Sequence, residues 1–251
     1  MRKLIFTALY FLAVFGVQAQ NTDSLWVKAN DYFVKNNFEK AIETYQVINN
    51  RGLHSAELYY NMGNTYYKLN KIAQAILYYE KAAELAPHND DIAYNLELAN
   101  RNVLDKIEKI PVFFITAWGK SFINLFSSDL WAKISIVSFI IALVFISIFL
   151  YTRRYGLKKL SFWFGIIIIF TSILSFYCSY NQKQKIIKND SAIIMNPSVT
   201  VKSSPDFSGT DLFVIHEGTK VWITDEISEW KEIKLSDGSK GWLKSSDIEI
   251  I

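Results

Sequence analysis

Cysteine is almost missing from this chain: Cys178 is the only one, and it lies inside an apolar run. One cysteine permits neither a disulfide framework nor a thiolate metal site. Histidine is nearly as scarce, with His54, His88 and His216 in three separate segments. The chain has no Gly-x-Ser-x-Gly, no His-Glu-x-x-His, no phosphate loop and no dinucleotide fingerprint. A hydrolase built on a cysteine–histidine pair needs a soluble thiol, whereas Cys178 lies in an apolar run with no histidine near it in sequence, which argues against such an activity. His216, in His216-Glu217-Gly218, reads as a strand-end residue rather than a base. The expectation is a non-enzymatic protein with no catalytic, cofactor-binding or metal-binding residues, and no cofactor.

A basic folded surface is lacking as well. The net charge is +3, but the excess sits beside apolar stretches, while segments 21–110 and 181–251 are each slightly acidic. Phosphate binding needs a basic face on a folded domain, so nucleic acid is excluded as a partner.

What the chain does have is long apolar runs. Arg2 and Lys3 precede an apolar run from Leu4 to Val17, and Val17 and Ala19 stand where a leader peptidase requires small residues. This reads as a signal peptide over 1–19, too short for a bilayer span. No cysteine follows, which excludes a lipoprotein. Two uncharged runs, Ile134–Leu150 and Leu160–Tyr180, can each cross about 30 Å of hydrocarbon, and Trp131, Tyr151, Trp163, Tyr177 and Tyr180 suit the interfaces. They predict transmembrane helices over 131–151 and 160–180. The loop 152–159 carries Arg153, Arg154, Lys158 and Lys159 without an acid, which places it in the cytoplasm. Neither uncharged run holds a charged residue, so both spans read as anchors rather than a transport path. Segment 111–128 mixes Phe113, Phe114, Trp118, Phe122 and Phe126 with polar residues and predicts an interfacial amphipathic helix.

Residues 22–89 repeat at a spacing of 34: Ala29 with Gly63, Tyr32 with Tyr66, Ala41 with Ala75, Tyr45 with Tyr79 and Ile48 with Ala82. Small residues at 63, 75 and 82 let two antiparallel helices approach, Tyr59, Met62, Tyr66 and Tyr79 fill the space around them, and Pro87 stops the second helix. A further unit from Asp90 keeps Ile92, Leu96, Ala99, Val103, Ile107 and Ile110 at helical spacing and reads as a capping helix ended by Pro111. This pattern resembles the tetratricopeptide repeat, and the expected repeat region is 22–110. The resemblance implies a protein- or peptide-binding groove lined by the first helix of each pair. Carried over by repeat position, its residues are Trp26, Asn30, Phe33, Tyr60, Asn64, Tyr67, Lys68 and Tyr94. Asn30 and Asn61 match the asparagines of the carboxylate-clamp subtype. Trp26, Asp91 and Asn95 replace its cations, however, which argues against recognition of a free C-terminal carboxylate.

From Ser191 the composition turns to short β-branched and aromatic runs punctuated by Pro197, Pro205, Gly209, Gly218 and Asp237-Gly238. Segment 191–251 resembles a bacterial SH3-like domain and predicts a small β-barrel. Trp222, Trp230 and Trp242 could line a surface groove, but the core is the favoured assignment, because a small domain needs large side chains to bury enough area.

The fold class expected is therefore multi-domain α plus β: a helical repeat solenoid, two transmembrane helices and a C-terminal barrel. That module order, with Asp90-Asp-Ile-Ala-Tyr-Asn95-Leu-Glu-Leu-Ala99, resembles the BatE family of Bacteroides aerotolerance proteins. The resemblance implies a membrane-anchored envelope scaffold working with other Bat membrane proteins. It would sit in the inner membrane, with repeats and β module facing the periplasm. Two alternatives stand beside it: a peptidoglycan-binding anchor acting through the SH3-like domain, and a membrane-tethered chaperone-like adaptor.

Overall fold

The structure is a computed structural model that describes residues 23–108, 114–188 and 190–251. The signal peptide expected over 1–19 lies outside these residues, as do residues 111–113 of the expected interfacial helix.

Five helices form the N-terminal array: α1 over 23–34, α2 (Phe38–Asn50), α3 (Ala56–Lys68), α4 (Ile72–Leu85) and α5 (Asp90–Asn100). Local chemistry sets their ends. Asn37, Ser55 and Asn89 accept hydrogen bonds from backbone N–H groups at the starts of α2, α3 and α5, filling donors that an isolated helix leaves open. The turns within each helix pair pass through Asn36 (φ 57°) and Asn70 (φ 58°), 34 residues apart, where asparagine tolerates the left-handed region better than most side chains. Ala29, Tyr45, Met62, Ala75 and Tyr79 are buried between the helices.

The array ends for a reason visible in the repeat register. The position occupied by Ala29 and Gly63 carries Glu97 in the third unit, where its exposed carboxylate pairs with Arg101 at 2.9 Å. A second helix could not pack closely there. The capping helix also stops at Asn100, short of the apolar spacing that predicts helix to Ile110. Val103 and Ile107 leave the helical register because they pack elsewhere: Val103 against the turn at Gly218, and Ile107 against the core of the β module. Lys106 Nζ donates to the Arg101 carbonyl at 3.0 Å, satisfying one acceptor of the helix end.

Helix α6 (Phe114–Ile123) exposes Phe114, Trp118 and Phe122. It is tied to the next helix through Trp131, whose indole N–H donates to the Ile123 carbonyl at 2.8 Å and whose ring meets Phe122 and Phe126. Helices α7 (Ser128–Tyr151) and α8 (Tyr155–Lys188) form an antiparallel hairpin. Two stretches, Ser128–Tyr151 and Tyr155–Gln184, are long and apolar enough to cross a membrane. Their outward faces expose Ile136, Phe139, Ile140, Ile167, Phe170 and Ile173. Their shared face is narrow and small. Ser135 and Ser172 each donate to the other's backbone carbonyl, at 3.0 and 2.9 Å, Ser179 donates to the Ser128 carbonyl, and Gly165 lies against Phe145. Close packing with interhelical hydrogen bonds is how helices associate where apolar burial supplies no drive.

The C-terminal module is a seven-stranded antiparallel sheet. Its strands are β1 (Ser191–Ile194), β2 (Ser198–Lys202), β3 (Asp211–His216), β4 (Lys220–Ile227), β5 (Trp230–Lys234), β6 (Lys240–Lys244) and β7 (Ile248–Ile250). The order is β3-β2-β6-β5-β4-β1-β7. The small barrel expected from sequence is thus corrected to an open sheet, in which β3 and β7 each pair with one neighbour. Closure would require those two edges to meet. Instead Ile251, beyond β7, joins the helical core, and the end of β3 is held by Asp105. Ala192, Ile194, Val201, Val221, Ile233 and Leu243 form the module's own core. Of the three tryptophans assigned there, Trp230 is buried and Trp242 half-buried. Trp222 is at the surface under Lys220, because it falls on the outward side of β4 between the inward Val221 and Ile223.

The helical array and the sheet share a core. Ile193 and Ile251 are buried in the cluster of Ile76, Tyr78 and Tyr79, with Met195 packed against it. Lys220 Nζ pairs with Glu80 at 2.7 Å.

Candidate functional site

The structure places every residue of the expected groove on the first helix of a unit: Trp26, Asn30 and Phe33 on α1, Tyr60, Asn64, Tyr67 and Lys68 on α3, and Tyr94 on α5. Within this set a pattern recurs one repeat apart. Tyr45 of α2 donates its hydroxyl to Asn30 Oδ1, and Tyr79 of α4 donates to Asn64 Oδ1 at 2.7 Å. Trp26 meets the Tyr45 ring at 5.9 Å and Tyr60 meets the Tyr79 ring at 6.1 Å. The same helix-spanning unit is therefore built twice.

Bridges between first helices complete the network. Asn61 Nδ2 donates to Asn30 Oδ1 at 3.5 Å. Asn95 Nδ2 donates at 2.9 Å both to Asn64 Oδ1 and to the Tyr60 hydroxyl. Burial, and then the nearby Glu57, push the Tyr45 phenol up to about 12, against a lowering hydrogen bond with Asn61. Burial likewise pushes the Tyr79 phenol up, with Tyr60 and Tyr67 beside it. Both hydroxyls stay protonated at neutral pH and serve as donors. Each asparagine oxygen is then consumed, leaving Nδ2 of the half-buried Asn30 and Asn64 with no acceptor among the described residues, not sealed from solvent and available as a donor.

The remaining residues divide by exposure. Tyr94 is 66% exposed, and Lys68 is exposed at the end of α3. Tyr67 is half-buried against the core. Phe33 turns to Phe38 at the start of α2, 5.4 Å away, and serves the junction within the first repeat. Tyr45 and Tyr79 were missed as members of the candidate site, and the expected groove omits Asn61 and Asn95, compared only with the carboxylate clamp. The signal was present: Asn30–Asn61 and Asn64–Asn95 share one spacing, and Asn30–Tyr45 and Asn64–Tyr79 share another.

A second concavity lies between α5 and β4, a cleft of about 580 Å³. Its charges are committed. Asp105 Oδ2 accepts from the His216 backbone N–H and the Thr219 hydroxyl, both at 2.7 Å, and Oδ1 faces His216 Nδ1 at 2.8 Å. Burial alone would raise the Asp105 carboxyl, but the bonds from Thr219 and His216 outweigh it and hold it below the usual carboxylate range. His216 thus serves the contact between modules. No group of three His, Cys, Asp or Glu able to hold a metal occurs among the described residues.

Paired antiparallel helices with small residues at their crossings and a polar-aromatic face on the first helix of each pair define a helical-repeat interaction module. The tetratricopeptide repeat family matches residues 56–89, which comprise α3, α4 and the turn that follows. No curated protein matches the chain. Tetratricopeptide repeats are a non-catalytic fold that binds proteins or peptides, and that is the class of activity this region supports.

Proposed function

We propose that the chain is a membrane-anchored scaffold that holds a segment of another protein across the face of α1, α3 and α5. The observation that carries this reading is the pair of amide donors left without an acceptor at Asn30 and Asn64, whose oxygens are held by buried tyrosines, on the helices that also carry Trp26, Tyr60 and Tyr94. Desolvated aromatic and amide groups of this kind supply much of the energy of peptide recognition. The module order that resembles the BatE family supports a partner among envelope membrane proteins of that group.

Alanine at Tyr60 or Asn64 would strip Tyr79 and Asn95 of their partners, so loss of function there would confuse folding with binding. A photo-crosslinking residue at Tyr94 avoids this difficulty. In intact cells it should yield a discrete protein adduct, whereas the same residue at Val47, exposed on α2, should yield none. No adduct from Tyr94, or equal adducts from both positions, would remove the face from consideration.

The hairpin α7–α8 serves as the anchor, with the basic loop between its helices in the cytoplasm and both folded modules on the opposite side. The signal peptide expected over 1–19 and the positive-inside bias of Arg153, Arg154, Lys158 and Lys159 support this orientation. Cys178 is buried, so introduced thiols report cleanly. A cysteine replacing exposed Glu229 should react with an impermeant maleimide in spheroplasts, and one replacing Tyr155 should react only after lysis. The reverse pattern would invert the orientation.

A further inference from the structure

We infer that the segment held across this face is proline-rich and bound in the polyproline II conformation. The inference rests on the groove reading above and names the partner's chemistry. Its first support is the spacing of the aromatic groups. Trp26, Tyr60 and Tyr94 occupy one repeat position, 34 residues apart, on α1, α3 and α5. The amide bonds from Asn61 to Asn30 and from Asn95 to Asn64 show these helices side by side. Packed helices lie about 8–10 Å apart, so the three rings form rungs at roughly that interval. A polyproline II chain advances about 3.1 Å per residue with three residues per turn, or about 9.3 Å per turn. Every third residue then meets a rung from the same side.

Hydrogen-bond polarity is the second support. With both Oδ1 atoms consumed, Asn30 and Asn64 offer donors. Polyproline II has no internal hydrogen bonds, and proline brings a carbonyl without an N–H, so such a chain presents acceptors where the face presents donors. An extended strand would bring backbone N–H groups needing acceptors in equal number. An amphipathic helix spends its carbonyls internally and would leave the asparagine donors buried and unpaired, which is costly. Charge agrees: of the eight groove residues only Lys68 carries one, at the edge of the face, so neither an acidic nor a basic segment is selected. A stiff partner also loses little entropy on binding, as in other aromatic-lined grooves for such chains.

The test uses the full chain in lipid nanodiscs and three fluorescein-labelled peptides of about twelve residues: Ala-Pro-Pro repeats, Ala-Gly-Gly repeats, and an amphipathic helix. Saturable anisotropy is expected for the proline peptide, with at least tenfold weaker binding of the glycine peptide. Tyr94→Ala removes an exposed ring, and Asn64→Asp keeps Oδ1 for Tyr79 and Asn95 while removing the donor. Each should weaken the proline peptide at least tenfold, with wild-type circular dichroism. Equal binding of the proline and glycine peptides, or proline binding indifferent to both variants, overturns the inference. Tyr94-dependent binding of the helical peptide alone overturns it while leaving the groove in place. Binding of none of the three also overturns it, and the Tyr94 crosslink then decides separately whether the groove reading falls with it.

Discussion

Leucine in place of Gly63 is expected to unfold the helical array. A Cβ on Gly63 would stand 2.6 Å from Cδ1 and from Cε1 of the Tyr79 ring. That ring cannot retreat: it is 1% exposed, its hydroxyl is bonded to Asn64, and the tilted Tyr60 ring lies against it at 6.1 Å. Even alanine forces a shift, an overpacking cost of about 1–3 kcal/mol, and the branched leucine should exceed that range. Such a loss is a large share of the ordinary stability of a domain. Amide exchange on the intact chain should show α3 and α4 losing protection together in Gly63→Leu, with Gly63→Ala intermediate. The register supplies a control, because Glu97 holds the equivalent place in α5 with its side chain in solvent, so Glu97→Leu should leave exchange in α3 and α4 unchanged. Wild-type protection in Gly63→Leu would mean that the two helices do not meet at this glycine.

Features set by short-range pattern were legible in the sequence. The period of 34, the two uncharged runs and the short β-branched and aromatic runs after Ser191 each state a local preference that packing then reinforces, and the helices and strands follow them. Features set by contacts between distant residues were not. Asp105 meets His216 and Thr219, and Glu80 meets Lys220, across more than a hundred residues. No local pattern marks such pairs. The sequence therefore extended the capping helix through Val103 and Ile107, which the β module draws away, and closed the sheet into a barrel whose edges are engaged elsewhere. The site shows the same division. Its aromatic residues could be carried over by repeat position. The asparagines could be placed by the same repeat position, but only the folded array reveals that tyrosines on the second helices take the oxygens of Asn30 and Asn64.

The contact between the modules should fail at Gly218. Its φ is +85°, a region that strains any L side chain, and a Cβ there would lie 2.9 Å from Val103 Cγ2 and 3.2 Å from Ile76 Cδ1. Both neighbours are buried, so neither can yield freely. Gly52 separates the two effects, since its φ is +79° with nothing within 4 Å of a Cβ. Gly52→Ala should incur the left-handed strain alone, about 1–2 kcal/mol. Gly218→Ala adds an overpacking cost of about 1–3 kcal/mol and should lower the unfolding midpoint further. Because Ile193 and Ile251 share a core with Ile76 and Tyr79, exchange should rise in α4 and β1 together. Asp105→Ala should act in the same direction by leaving the His216 N–H and the Thr219 hydroxyl without their acceptor, at about 1–3 kcal/mol for buried donors. Asp105 also fixes the sign of the pH response. A carboxyl held below its ordinary value of about 3.9 contributes fully above that pH, and its contribution is lost as the pH falls through the lower folded-state value. The difference between wild type and Asp105→Ala should accordingly be full at neutral pH and shrink on strong acidification. Equal midpoints for Gly218→Ala and Gly52→Ala, with exchange confined to the sheet, would show that the modules fold independently and that the groove is not held in place by the strand leading to the membrane.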